Sequence, residues 1–166
     1  MHKGPPSPAG LFAMRRAVAA DAPAIRELTR RAYAKWVPVI GREPRPMSAD
    51  YHRAVREHVI DLMEENGALV ALIELIVASD YVMIENVAVD PGRQGAGLGA
   101  LLLQHAERLA AGLGHRELRL YTNAAFATNI GFYAGRGYQE FNRAPLSDGG
   151  TVVHMRKFAA PSAAGL

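Results

Sequence analysis

The sequence predicts an α/β (or α+β) domain built on a mixed sheet of about seven strands, with about four helices flanking it. Three observations predict it: several apolar runs have the length of strands, an amphipathic helical stretch lies near the N-terminus, and a leucine-rich helical stretch follows a glycine-rich loop. The chain has 166 residues, 49% of them hydrophobic and 21% charged, so it can bury one core of ordinary size. We expect the domain to span residues 11–158, with a disordered tail at 1–10 and a second tail at 159–166.

The first third of the chain is predicted to contain one strand and two helices. Phe12 to Val18 is the candidate strand, and Asp21 can cap a helix whose apolar side chains recur at helical spacing from Ile25 to Trp36. Val37 to Met47 holds a glycine and three prolines, which predicts a loop. Ser48 can then cap the second helix.

Six further strands and two helices are predicted after this point. Val59 to Glu64 fits either the end of the second helix or a strand, and the strand is favoured because the strong hairpin turn Asn66-Gly67 follows it. An apolar stripe from Leu98 to Leu113 predicts a helix. The remaining elements are the strands Ala68 to Ala78, Tyr81 to Val89, Glu117 to Thr122, Tyr138 to Asn142 and Thr151 to Phe158, and a short helix from Asn129 to Gly135.

Composition excludes several classes of protein. The chain has no cysteine, which excludes a disulfide scaffold, a thiolate metal site and a cysteine nucleophile. No apolar run is long enough to span a bilayer, and the net charge of +3 comes from arginines that form no basic patch in the sequence. The histidines show no metal-ligand spacing. We therefore expect a cytoplasmic protein with no metal and with no nucleic-acid or membrane partner.

The glycine-rich loop lies within Val87 to Gly99, where a predicted strand runs into a predicted helix. Glycine lets the backbone approach a ligand closely, and the free N–H groups at a helix start attract an anion. The segment therefore indicates a site for a phosphate or pyrophosphate. A P-loop is excluded because Ala100 and Leu101 stand where Lys and Ser or Thr are required. A dinucleotide fold fits poorly because four predicted strands precede the loop. A purely structural loop remains open.

Two motifs resemble those of the GNAT superfamily of acetyltransferases. Gln94, Gly97 and Gly99 match the pattern Gln/Arg-x-x-Gly-x-Gly/Ala, and Asn129 to Tyr138 resembles the family's segment of an asparagine followed by Tyr-x-x-x-Gly-Phe/Tyr. The resemblance extends in order over roughly residues 12–158. It implies the GNAT fold and an N-acetyltransferase that passes an acetyl group from acetyl-CoA directly to a primary amine, with a general base and a general acid. The alternative is an acyl-CoA-binding regulatory module that has lost catalysis.

The resemblance assigns the acetyl-CoA contacts to the end of the strand, the loop and the short helix. The backbone groups of Val87 and Val89 are expected to bond the pantetheine arm, on a strand that a bulge splays from its neighbour. The helix start is expected to hold the pyrophosphate. The full set of implied contacts is Val87, Ala88, Val89, Arg93, Gln94, Gly95, Ala96, Gly97, Leu98, Gly99, Ala100, Asn129 and Tyr133.

Glu85 and Tyr133 are the candidate catalytic residues. An alkylamine is mostly protonated at neutral pH, so transfer needs a base. Many GNAT enzymes carry a glutamate base near the position of Glu85, and strand alternation predicts that this residue shares a face with Val87 and Val89. Tyr133 matches the family's general acid, which protonates the departing thiolate. The alternatives are a structural carboxylate and a tyrosine that only packs.

The amine acceptor is expected between the first two helices, the loop that joins them and the last hairpin. The candidate acceptor residues are Tyr33, Trp36, Tyr51, Tyr121 and Asn123. None of them names the acceptor, so a small molecule and a peptide amine both remain open. Dimers are common in the family, which makes a homodimer an expectation of the resemblance alone.

Overall fold

Seven strands form one mixed sheet in the computed structural model, which describes residues 12–159. They are β1 (Phe12–Arg16), β2 (Val59–Glu65), β3 (Ala68–Val77), β4 (Tyr81–Val89), β5 (Glu117–Asn123), β6 (Gln139–Pro145) and β7 (Thr151–Phe158). Their order is β1-β2-β3-β4-β5-β7-β6, and only the β4–β5 pair is parallel. The predicted mixed seven-stranded sheet is confirmed. The expected tails, apart from Ala159, lie outside the described residues, and the Ala159 N–H donates to the Arg116 carbonyl at 2.7 Å.

Four α-helices of seven or more residues and one short α-helix accompany the sheet in the described part of the chain, along with four 3-10 turns. They are α1 (Ala22–Tyr33), α2 (Val37–Ile40), α3 (Tyr51–Glu57), α4 (Leu98–Gly112) and α5 (Ala127–Ala134). None of them is long and apolar enough to cross a membrane.

The prediction of a continuous loop after α1 is wrong in part. Val37–Ile40 forms the single turn of α2, because proline is tolerated in a first helical turn and Gly41, with φ of 73°, ends it. The cap of α3 is Asp50 rather than Ser48, since the Asp50 carboxylate accepts a hydrogen bond from the Arg53 N–H at 3.1 Å.

Local turn chemistry sets the β2–β3 hairpin as the sequence predicts. Asn66 and Gly67 have φ of 53° and 80°, the left-handed values that a two-residue type I′ turn requires. The strand from Val59 is therefore confirmed over the alternative of a longer helix.

Helices cover both faces of the sheet and enclose two cores. The α1/α3 core includes Ile25, Leu28, Ala54, Leu62 and Leu72. The α4 core includes Ile73, Leu102, Leu103, Ala106 and Leu118. Each fully buried leucine contributes about 1.5–3 kcal/mol to folding.

A buried carboxylate ties α4 to the edge of the sheet. Asp61 on β2 is 4% exposed, and its two oxygens lie 2.6 Å from His105 Nε2 and 2.6 Å from Arg16 Nε. Burial alone would raise the pKa of Asp61, but these two hydrogen bonds outweigh it and lower the pKa. His105, which the helical stripe predicts at the core edge, thus links α4 to β2.

Candidate functional site

A β-bulge at Glu85 opens the sheet between β4 and β5. Glu74 pairs with Asn86 and the next residue of β3 pairs with Ile84, so Glu85 has no register partner on β3. The parallel pairing of β4 with β5 also ends here, at Ile84 and Leu120. From Glu85 onward the β5-facing edge of β4 has no strand partner, and its backbone groups border a gap in the sheet.

The bulge also reverses the faces on which the β4 side chains beyond Glu85 lie, and one expectation is therefore wrong. Glu85 does not share a face with Val87 and Val89. It lines a cavity beside α3, next to Asn86, whereas Val87 and Val89 pack against the α4 core. The extra residue places two consecutive side chains, Glu85 and Asn86, on the α1/α3 side, and simple alternation therefore fails beyond this point.

A cleft of about 430 Å³ follows the gap, and we call it the glycine-loop cleft. Most of the residues predicted to contact the cofactor line it: Val87, Val89, Arg93, Gln94, Gly95, Gly97, Leu98, Gly99, Asn129 and Tyr133. Ala88, Ala96 and Ala100 are not among the lining residues. The Ala88 side chain is buried in the α1/α3 core, so only its backbone can serve the cleft.

The loop itself is shaped to present backbone N–H groups. Gly97 takes φ of 83° as the N-cap of α4, and the Asp90 carboxylate holds the preceding turn by accepting from the Gly92 N–H at 2.8 Å. A Cβ on Gly99 would lie 3.0 Å from the Phe132 ring, so that ring, which also lines the cleft, would have to shift by a few tenths of an ångström. The unpaired N–H groups of the first turn of α4, together with the helix dipole, favour an anion.

Cations from three elements surround the glycine-loop cleft. Lys35, Arg93 and Arg136 line it, and the Lys35 ammonium donates to the Gln94 side-chain oxygen at 3.1 Å. Gln94 in turn donates to the Val89 carbonyl at 3.3 Å, which joins the loop to β4. Sequence reasoning missed Lys35 and Arg136, because each meets the loop only through the packing of α1 and α5.

Tyr133 lies at the inner end of the cleft on α5. Its ring packs edge-on against Phe132 and Tyr138, with ring centroids 5.3 and 6.0 Å away. Burial raises the pKa of Tyr133 to about 12. The phenol therefore keeps its proton at neutral pH and can donate it.

Two further cavities lie on the α1/α3 side of the sheet, and one of them adjoins the cleft. The acidic cavity, of about 470 Å³, lies under α3 and includes Tyr51, Glu74, Glu85 and Tyr121 in its lining. The hairpin cavity, of about 410 Å³, lies between the α2 region and the β6–β7 hairpin. It shares Tyr33, Asn129 and Tyr133 with the cleft, and Tyr121 with the acidic cavity.

Four of the five predicted acceptor residues line one or both cavities, namely Tyr33, Tyr51, Tyr121 and Asn123. Trp36 lines the glycine-loop cleft instead. Its ring stacks on Phe126, which lines the hairpin cavity, with centroids 4.3 Å apart.

Hydrogen bonds order the polar wall of the acidic cavity. The Tyr121 hydroxyl donates to Glu85 Oε1 at 2.5 Å. Glu74 is 4% exposed and lies 2.6 Å from His58 Nδ1; burial raises the Glu74 pKa although this hydrogen bond opposes the shift. Sequence reasoning missed Glu74, since only the β3–β4 register places it beside the bulge.

Asn86, the other residue beside the bulge, joins three elements under the acidic cavity. Its side-chain oxygen accepts from the Tyr33 hydroxyl at 2.9 Å, and its nitrogen lies 3.3 Å from both the Thr29 and Tyr51 hydroxyls. Burial raises the pKa of Tyr33 and of Tyr51, so both hydroxyls stay neutral. This network holds α1 and α3 over β4. Within residues 12–159 there is no group of three His, Asp or Glu side chains that could hold a metal ion.

Comparisons with known proteins agree with this geometry. Residues 22–138 match the model of the acetyltransferase (GNAT) family. The fold resembles the PaiA N-acetyltransferase from Thermoplasma acidophilum, solved with coenzyme A, at a TM-score of 0.75 and 16% identity over 89% of this chain and 98% of that one. It also resembles the ribosomal-protein-S18-alanine N-acetyltransferase from Escherichia coli, at a TM-score of 0.69 and 23% identity over 93% of this chain and 98% of that one.

A third structure, a GNAT family acetyltransferase from Elizabethkingia anophelis with acetyl-CoA bound, gives a TM-score of 0.70 and 13% identity over 89% of this chain and 98% of that one. No curated protein matches the sequence significantly. At these identities the solved structures establish the fold, and the family model establishes the family. The chain is an acyltransferase that belongs to the GNAT family.

Proposed function

We propose that the protein transfers an acetyl group from acetyl-CoA to the primary amine of an acceptor by direct transfer. One observation carries the proposal: the glycine-loop cleft, which follows the unpaired edge of β4, shares Tyr133 with the hairpin cavity, and the hairpin cavity shares Tyr121 with the acidic cavity that Glu85 lines. A donor with a long polar arm and a separate acceptor can thus meet at Tyr133. Two similar solved structures, one with coenzyme A and one with acetyl-CoA bound, support this choice of donor.

The chain would hold the donor at three places. The first turn of α4 would bind the pyrophosphate through backbone N–H groups, with Lys35, Arg93 and Arg136 as counter-charges. The open edge of β4 at Val87 and Val89 would pair with the pantetheine arm as a strand pairs with its neighbour. The bound thioester supplies the acyl group.

Two side chains would then move protons on opposite sides of the reacting carbonyl. Glu85 would take a proton from the acceptor ammonium, directly or through water, and so free the nitrogen lone pair for attack. As the new C–N bond forms and the C–S bond breaks, Tyr133 would give its proton to the departing sulfur. The nitrogen loses its second proton to solvent and Glu85 releases the first one there, while solvent returns one proton to Tyr133, so that an amide, a free thiol and one released proton result.

Tyr133→Phe tests the acid role directly. We expect CoA affinity to change little and kcat to fall by about 10²-fold or more, since a positioned acid contributes that much. Calorimetry with CoA and thiol release in the presence of an amine panel measure the two quantities. Tyr138→Phe is the matched control, because that hydroxyl is buried beside Tyr133 without a hydrogen-bond partner among residues 12–159. Equal turnover in Tyr133→Phe and the wild type would contradict the role.

Glu85→Gln tests the base. The variant should lose most of its activity near neutral pH and recover at high pH, where the acceptor amine is already deprotonated. A pH–rate profile that is the same in the variant and the wild type would rule this base out.

The alternative function, a non-catalytic acyl-CoA-binding module, makes a different prediction. It requires saturable binding of acetyl-CoA with no thiol release on any amine of a panel that spans simple amines, polyamines, amino acids and peptides. Thiol release with any of these amines would contradict the non-catalytic module and support the enzyme.

A further inference from the structure

The acidic cavity and the hairpin cavity differ in the charge of their linings, and this difference indicates a class of acceptor. We infer that the acceptor is an α-amino acid with an apolar side chain, whose carboxylate binds Arg45; this inference rests on the proposed acetyl transfer. The ammonium would lie at Glu85 in the acidic cavity, and the side chain would fill the hairpin cavity.

Arg45 stands at the junction of the two cavities. It lines both of them, together with its neighbour Pro46 and with Tyr121, whose hydroxyl is bonded to Glu85. A ligand that reaches from the carboxylates of the acidic cavity into the hairpin cavity therefore passes this guanidinium. An ammonium and a carboxylate bonded to the same carbon of one small molecule match that arrangement of charges.

The other arginines around the two cavities are already paired. Arg42 lies 2.7 Å from Asp148, and Arg53 lies 2.9 Å from Glu57. Arg45 forms no ion pair and no side-chain hydrogen bond with any residue of the described segment. An arginine offers five donors in a fork that fits a carboxylate, so this side chain is available for one.

The backbone that carries Arg45 is held firmly. The Tyr51 hydroxyl donates to the Pro46 carbonyl at 2.6 Å, and the Met47 N–H donates to the Pro44 carbonyl at 3.0 Å. Arg30 further donates to the Met47 carbonyl at 2.9 Å. Flanking prolines also restrict the backbone torsions. A fixed attachment point lowers the entropy that binding costs, which suits a specificity contact.

The hairpin cavity suits one apolar side chain rather than a polypeptide. Its apolar lining includes Ile40, Phe126, Leu146 and Val152. The Arg42–Asp148 ion pair joins the segment after α2 to the β6–β7 turn. In a peptide the α-carboxyl group of the first residue is an uncharged amide and could not pair with Arg45, so a free amino acid fits better than a peptide.

A matched set of leucine derivatives tests the inference by thiol release with acetyl-CoA. Leucine, leucinamide and 3-methylbutylamine share the side chain, and the amines of the last two are respectively less and more basic than that of leucine. We expect kcat/KM for leucine to exceed both others by about 10- to 100-fold, the range expected for hydrogen bonds to a charged group, mainly through KM. A leucyl dipeptide should be poor as well.

Arg45→Ala should remove the preference for the carboxylate while leaving CoA affinity unchanged, and Arg45→Lys should keep part of it. Arg53→Ala is the control, since that paired arginine lines the acidic cavity only. Equal kcat/KM for leucine and 3-methylbutylamine, a preference that survives Arg45→Ala, or better turnover of the dipeptide would each overturn the inference.

The proposed acetyl transfer and the proposed amino-acid site can each be refuted independently of the other. If CoA binds but no amine is turned over, the proposed acetyl transfer is wrong, and calorimetry of leucine with the CoA-loaded protein still tests the site. Binding that Arg45→Ala abolishes would support the amino-acid site, and no binding by the wild type would reject it.

Discussion

The Gly97→Ala variant can separate the effect of backbone strain from the loss of CoA binding, because Gly114→Ala should introduce the same strain elsewhere in the chain. Gly97 has φ of 83°, and a Cβ placed on it has no atom within 4 Å, since it points into the open glycine-loop cleft. Gly114, just beyond the other end of α4, has φ of 80° and equally open surroundings. An alanine at either position should therefore strain the backbone to the same extent.

Gly97→Ala should lower the free energy of unfolding only slightly and should weaken CoA binding strongly. Alanine in the left-handed region costs about 1–2 kcal/mol, and the stiffer unfolded chain returns about 0.4–1 kcal/mol. A net loss of ~1 kcal/mol lowers Tm by about 2–4 °C in a chain of this size. At Gly97 the methyl group also occupies space beside the α4 N–H groups. Loss of one charge-assisted hydrogen bond, worth about 1.5–3 kcal/mol, weakens CoA binding by about 10- to 100-fold.

Thermal unfolding and calorimetric titration with CoA measure the two costs. Gly97→Ala and Gly114→Ala should give similar Tm values, and only Gly97→Ala should lose CoA affinity. If Gly97→Ala binds CoA within twofold of the wild type, the first turn of α4 does not hold the pyrophosphate.

Three further outcomes follow from the packing. Because the pKa of Asp61 is lowered by folding, its carboxylate stabilises the protein above the unfolded pKa of about 4, and that contribution is lost as pH falls through the folded pKa. Asp61→Asn should therefore lower Tm at pH 7 and flatten the loss of Tm on acidification, and an unchanged pH dependence would show that the pairs with His105 and Arg16 contribute nothing. Asn86→Ala leaves three hydroxyls without their partner and should destabilise by about 1–3 kcal/mol in urea unfolding; a loss under 0.5 kcal/mol would mean that water replaces the amide. Gly99→Ala should shift the Phe132 ring in the cleft and weaken CoA binding, which a crystal structure of the variant and calorimetry with CoA measure; an unmoved ring with unchanged affinity would contradict this.

Features set by short stretches of sequence could be predicted, and features set by register could not. Asn66-Gly67 and the glycine-rich loop impose their geometry locally, so the hairpin and the cleft were foreseeable. The face of Glu85 depends on how β4 aligns with β3, and the bulge that changes it has no signal in β4 alone. Lys35 and Gln94 meet across 59 residues, which only the docking of α1 onto the loop brings about.

The short parallel contact between β4 and β5 divides the sheet into two panels. One panel is β1 to β4 and the other is β5, β7 and β6, and only four residue pairs join them along the strands. Helix α4 spans the seam, since it packs on β3, β4 and β5. A pantetheine arm lying in the gap between β4 and β5 would supply the hydrogen bonds that these strands lack. The bound ligand would then connect the two panels of the sheet. The β5-facing amides of β4 beyond Glu85 should then exchange with solvent rapidly in the free protein and slowly when CoA is bound.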